Sequence, residues 1–114
     1  MAVFAVQPLP DLPSEAAAAF HLTFLPRAHA LLSGGATCLT LLFAAADHTH
    51  RTWRLAAVQA LAREYAPARV NALSGGDEAA IAAALAYLEA AEGVTGQFIP
   101  LAEQSAGPVL QSRT

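Results

Sequence analysis

Apolar residues along the chain fall into short continuous runs separated by longer stretches of helical character. Residues 2–6 (AVFAV) form the first run, closed by Pro8, Pro10 and Pro13, which suits a buried strand better than a helix. Ser14 then precedes an alanine-rich stretch with Glu15 in its first turn, where a carboxylate complements the helix dipole. This predicts a helix over 14–32, with Phe20, Phe24 and Leu31 among its apolar positions. Pro26 lies well inside it and should kink or split it. Ser33-Gly34-Gly35 supplies the stop.

Residues 37–43 (TCLTLLF) are β-branched or large, apolar and uncharged, as in a central parallel strand covered on both faces. A polar interruption at 47–52 follows, in which Asp47 or Thr49 can cap a helix reaching Tyr65 and ended by Pro67. Residues 69–73 (RVNAL) predict a third strand, closed by Ser74-Gly75-Gly76. Asp77 and Glu78 open a helix to about Glu92, stopped by Gly93. Residues 94–101 (VTGQFIPL) predict a fourth strand whose Gly96 and Pro100 suit an edge. Strands alternating with helices through short connections imply right-handed crossovers. The expected class is α/β: a Rossmann-like three-layer domain over 1–101, with a four-stranded parallel sheet and helices on both faces. Residues 102–114 are expected to be a loose polar tail.

Composition narrows the picture. The 114 residues allow one domain, and 55% hydrophobic against 13% charged residues excludes intrinsic disorder. Alanine makes up about a quarter of the chain and lysine is absent. A net charge of −3 with six scattered arginines offers no footprint for a nucleic-acid backbone. The start lacks the basic segment of a signal peptide, and the longest apolar candidate, 36–46, is too short to span a bilayer. One cysteine excludes an internal disulfide framework. A cytoplasmic protein, with no membrane and no nucleic-acid partner, is expected.

Candidate chemistry concentrates in Asp47-His48-Thr49-His50-Arg51, where a strand's carboxyl end meets a helix start, the place where open α/β sheets bind ligands. Asp47, His48, His50 and Arg51 are therefore the candidate ligand loop. On a strand His48 and His50 would share a face and could chelate a metal with Asp47; the plainer reading is a polar capping loop. Cys38 on its buried strand reads as a small hydrophobe. His21 and His29, eight apart, can share a helical face. Trp53 with Arg54 could stack on a planar ligand; the plainer reading of Trp53 is a packing anchor. Leu55, Val58, Leu61 and Ala62 follow helical spacing as a core or partner seam.

The stretch REYAPARVNALSGGDEAAIAAALAYLEAAEGVTGQFIPL resembles the C-terminal part of the short-chain dehydrogenases/reductases. There a helix ending Glu-Tyr-Ala-Pro leads to a strand reading Arg-Val-Asn, then an acid-opened helix and a strand beginning Val-Thr-Gly-Gln. Here these are residues 64–67, 69–73 and 94–97. FHLTFLPRAHALL and GGATCLTLLF are similar to the family's preceding helix and serine-bearing strand, so the likeness spans about 2–101.

The resemblance also implies what is changed. The chain starts at the counterpart of the family's fourth strand, so the Gly-x-x-x-Gly-x-Gly dinucleotide turn has no counterpart, and Gly34-Gly35 and Gly75-Gly76 read as helix stop and turn. Counting back from Pro67 places Asp47 at the family's catalytic tyrosine and Arg51 at its lysine. The family's serine falls on Leu41 or Leu42, and its asparagine on His21. A carboxylate ionised at neutral pH is a poor proton donor to a carbonyl. The expectation is a truncated, non-catalytic relative with no cofactor and no catalytic residue, acting as an oligomerisation or partner-binding module. A homodimer or higher oligomer, or pairing with a full-length relative, would follow from an unpaired first-strand edge and a partly bare sheet face. The alternative is a small ligand-binding or oxidoreductase-related protein that uses the 47–51 loop, completed in one version by a second chain.

Overall fold

The computed structural model describes residues 1–102. Four strands, β1 (Ala2–Ala5), β2 (Cys38–Phe43), β3 (Arg69–Ser74) and β4 (Phe98–Pro100), form one parallel sheet in sequential order. Ala2 pairs with Leu39, Leu39 with Val70, and Ala72 with Phe98. All three connections cross over through helices, as the alternating pattern predicts.

The first crossover departs instructively from a single kinked helix. Helix α1 (Pro13–Ala19) passes through a π-helical turn, Phe20–Phe24, into α2 (Leu25–Ser33), in which Pro26 occupies the first turn. Proline has no N–H to donate to the carbonyl four residues back, and its ring crowds that carbonyl. The backbone answers by widening: the Leu25 N–H reaches five residues back to the Phe20 carbonyl. Pro26 thus acts on the turn before it rather than at its own position.

Helix α3 (Arg51–Glu64) packs with α1 and α2 on one sheet face. The core there joins Phe4, Leu39, Leu41, Phe43, Val70 and Ala72 of the strands to Phe20, Phe24, Ala28, Leu32, Val58 and Leu61 of the helices. Residues of opposite parity, such as Cys38, Thr40, Asn71 and Leu73, turn to the other face, where α4 (Glu78–Ala90) packs on β3 and buries Leu88. The buried stripe of α3 is Arg54, Ala57, Val58 and Leu61, displaced from the seam read from sequence; Leu55 and Ala62 are only half-buried.

The Arg-Val-Asn stretch has a physical role at this level. Arg69 Nη1 donates to the carbonyls of Leu88 and Ala91 at 2.7 Å each, and Nη2 to that of Glu89 at 3.2 Å, satisfying carbonyls at the C-terminal end of α4. Asn71 is fully buried; its Nδ2 donates to the Val94 carbonyl and its Oδ1 accepts from the Gln97 N–H, both at 3.0 Å. Val70 N–H donates to Thr95 Oγ1 at 3.0 Å. Along 94–97 these side-chain bonds alternate with backbone ones, Gly96 N–H to the Val70 carbonyl and Ala72 N–H to the Gln97 carbonyl, and the fourth strand shortens from the expected 94–101 to Phe98–Pro100. Gly96, at φ +73°, makes the bend.

Only part of the second face is covered. Val3 is 45% exposed, Ala5 is exposed and Leu42 is half-buried, because α4 lies over β3 and leaves β1 uncovered. Among the described residues no helix is long and apolar enough to cross a membrane. The tail expectation from residue 103 onward lies outside the described residues.

Candidate functional site

The carboxyl ends of β1, β2 and β3 face two small cavities that share Arg54 and His50. One, of about 160 Å³, lies between the segment after β1 (residues 6–11) and residues 43–46 after β2. The other, of about 230 Å³, is bounded by Asp47, His48, Arg51, Ser74, Phe98 and Pro100 along with the shared pair. The ligand loop expected from sequence therefore does stand at the strand ends.

Its members are not equivalent. Asp47 is the N-cap of a short 3₁₀ turn, His48–His50: Oδ1 accepts from the Thr49 N–H at 3.0 Å and from the Thr49 hydroxyl. These donors, the hydroxyl first, hold its carboxyl below the usual carboxylate range, so it stays an anion rather than a proton donor. Arg51 is exposed, with its guanidinium 5.5 Å over the Phe98 ring. His48 is exposed on the same turn.

His50 turns inward and ties loops together. Its Nε2–H donates to the Asp11 carbonyl at 2.9 Å, and Nδ1 accepts from the Trp53 indole N–H at 3.1 Å. Both ring nitrogens are thus occupied, which matches imidazole protonated at Nε2 alone. The strand geometry that would aim His48 and His50 together is replaced by a 3₁₀ turn, which separates them: one exposed, one buried. Among the described residues no group of three His, Cys, Asp or Glu side chains is placed to hold a metal ion.

Asp47 and Arg51, read as counterparts of the family's tyrosine and lysine, line one cavity, but the counterparts of its serine and asparagine do not join them. Leu41 is fully buried in the helix-covered core, and Leu42 points to the other face. His21 is exposed and its Nδ1–H donates to the Ala17 carbonyl at 2.7 Å. His29 does not share a site with His21; it meets Tyr65, Nδ1 to Oη 2.6 Å, with Ser33 Oγ at 3.3 Å from the same hydroxyl, tying α2 to the end of α3. Cys38 is buried, as a small hydrophobe would be.

Arg54 is a functional candidate that the sequence offers only as Trp53's companion in a stack on a planar ligand. It is only 5% exposed, yet charged. Its guanidinium lies 4.6 Å over the Phe43 ring and 5.8 Å from that of Trp53, and Nη1 donates to the Ala44 carbonyl at 2.9 Å and Ser74 Oγ at 3.3 Å. Nε is buried without an acceptor. Burial pulls its pKa below the ordinary arginine value. The signal was available in the sequence: 54, 57, 58 and 61 are spaced i, i+3, i+4, i+7, so an arginine occupies a core-facing position.

A family model described as short chain dehydrogenase-like (SDR-like) matches residues 4–101. No curated protein and no solved structure matches the chain.

Proposed function

The chain belongs to the short chain dehydrogenase-like family, and on that footing we propose that it acts as a non-catalytic cytoplasmic module that associates with a second copy of itself across the β1 edge. Two independent features support this reading, one at the strand ends and one at the sheet edge.

At the strand ends, the residues present do not fit the dinucleotide that the family's dehydrogenases carry. The His50–Asp11 bond bridges the loops after β1 and β2, and the cavities of about 160 and 230 Å³ on either side fall below the roughly 300–1,000 Å³ of sites for drug-sized ligands. Asp47, held ionised by Thr49, has no proton to deliver, and Arg51 rests against Phe98. Leu41 and Leu42 bring no hydroxyl.

The observation that carries the association is the contrast between the two sheet edges. Beta4 is three residues long and ends in Pro100, a blunted edge. Beta1 (AVFA) carries neither proline nor charge, and among the described residues no strand neighbours its outer backbone groups. Beside it Val3, Phe4, Arg27, Ala30 and Leu31 line an apolar groove in which the Arg27 guanidinium lies 4.7 Å over the Phe4 ring. Two such edges related by a two-fold axis run antiparallel and satisfy each other's N–H and C=O groups while burying both copies of Val3 and Leu31.

Sedimentation equilibrium tests this. At micromolar concentration the chain is expected at twice its 11.8 kDa mass, and Val3→Lys at the monomer mass with an unchanged circular dichroism spectrum. An exposed position tolerates the lysine in the folded monomer, to within about 0.5 kcal/mol, so the variant isolates the edge. A monomeric parent chain, or a Val3→Lys dimer as tight as the parent, overturns the reading.

A further inference from the structure

Arg54 is a buried cation without a counter-ion. Among the described residues no carboxylate forms an ion pair with it. Removing a guanidinium from water is costly unless its N–H groups are satisfied. Here Nη1 has two acceptors, whereas Nε has none and no acceptor bonds Nη2. On this edge of the guanidinium Nε is sealed among protein atoms, so Nη2 is the N–H group that an anion can reach. The stacked Phe43 ring offsets part of the desolvation but leaves this edge unanswered.

The surroundings point the same way. Within the cavity of about 230 Å³, Arg54 and Arg51 are opposed by a single carboxylate, Asp47, whose Oδ1 is engaged by Thr49. Phe98 and Pro100 supply an apolar wall. The space suits an anion with a few carbon atoms and excludes a nucleotide. We propose that this cavity binds a small carboxylate anion, with Arg54 as its principal partner, Arg51 at the mouth and the hydrocarbon part of the ligand against Phe98. The apolar wall favours a carboxylate over inorganic phosphate, which has no hydrocarbon to place there. The site is separate from the β1 edge, so failure of this proposal leaves the association untouched, and the reverse.

The test is calorimetric titration of the full chain with propionate, malonate and inorganic phosphate, each against sodium chloride at equal ionic strength. Saturable binding of a carboxylate is expected, together with a shift of the Arg54 Nε–H resonance in ¹⁵N spectra. Arg54→Met, which keeps an apolar stem in the core, is expected to weaken binding by about tenfold or more, the loss of a charge-assisted pair. Arg51→Ala, at an exposed residue that leaves the core intact, is expected to weaken it less. Heat that tracks ionic strength alone, carboxylate binding unaltered in both variants, or binding of phosphate without either carboxylate overturns the proposal.

Discussion

Phe20→Ala is expected to cost about 3–5 kcal/mol of folding stability, the range for truncating a buried aromatic residue. Phe20 is fully buried at the centre of the helix-covered face. Its ring lies 5.5 Å from that of Trp53, 5.6 Å from Phe43 and 6.5 Å from Phe24, so it joins α3, β2 and the π-helical turn. Alanine there leaves a cavity bounded by three aromatic rings, which collapse poorly into the space. A domain of this size has a total stability of about 5–15 kcal/mol, so the variant stands near the unfolding threshold. Urea unfolding followed by Trp53 fluorescence reads the change, with Phe20→Leu expected to lose much less. A loss under about 1 kcal/mol for Phe20→Ala would mean that the π-helical turn does not hold the ring where the packing requires it.

Asn71→Ala is expected to cost about 2–4 kcal/mol, because a fully buried amide is lost and two backbone groups lose their partners at once. The side chain stands in for a strand: it accepts from the Gln97 N–H and donates to the Val94 carbonyl, holding the segment before β4 against β3. Neither group has a replacement when the amide is removed. Hydrogen exchange should show the Gln97 amide losing protection to a greater extent than amides of β2, which distinguishes local release of the β4 segment from general destabilisation. Unchanged protection at Gln97 would contradict the role given to Asn71.

The features legible in the chain were those set by local chemistry. The uncharged run at 37–43 and the RVNAL stretch at 69–73 mark the central strands, and the observed β2 and β3 match them to within one residue at either end. Asp47 reads as a helix cap and caps instead the 3₁₀ turn that leads into α3. Pro26 announces a break but not its form, because the proline displaces the bonds of the preceding turn. The 94–97 segment looks like a strand by composition; only the tertiary position of Asn71 reveals that side-chain bonds interrupt the ladder there. His50 illustrates the same limit, since period-two spacing pairs it with His48 on a strand, whereas the 3₁₀ turn sends it inward to Asp11 and Trp53. Arg54 was readable in principle from its place in the i, i+3, i+4, i+7 stripe. What hid it is the overlapping seam of Leu55, Val58, Leu61 and Ala62, whose apolar side chains mark a different face of the helix.

Chemistry and family likeness point apart in this chain: the sheet, the Arg-Val-Asn strand and the helix order persist, while the strand ends carry a capped carboxylate, a bridging histidine and a buried guanidinium. The direct measurement is calorimetric titration of the purified chain with the oxidised and reduced nicotinamide dinucleotides. Heats no larger than dilution are expected, since the His50 bridge and the small cavities leave the cofactor no seat. Saturable binding at micromolar affinity would contradict the account.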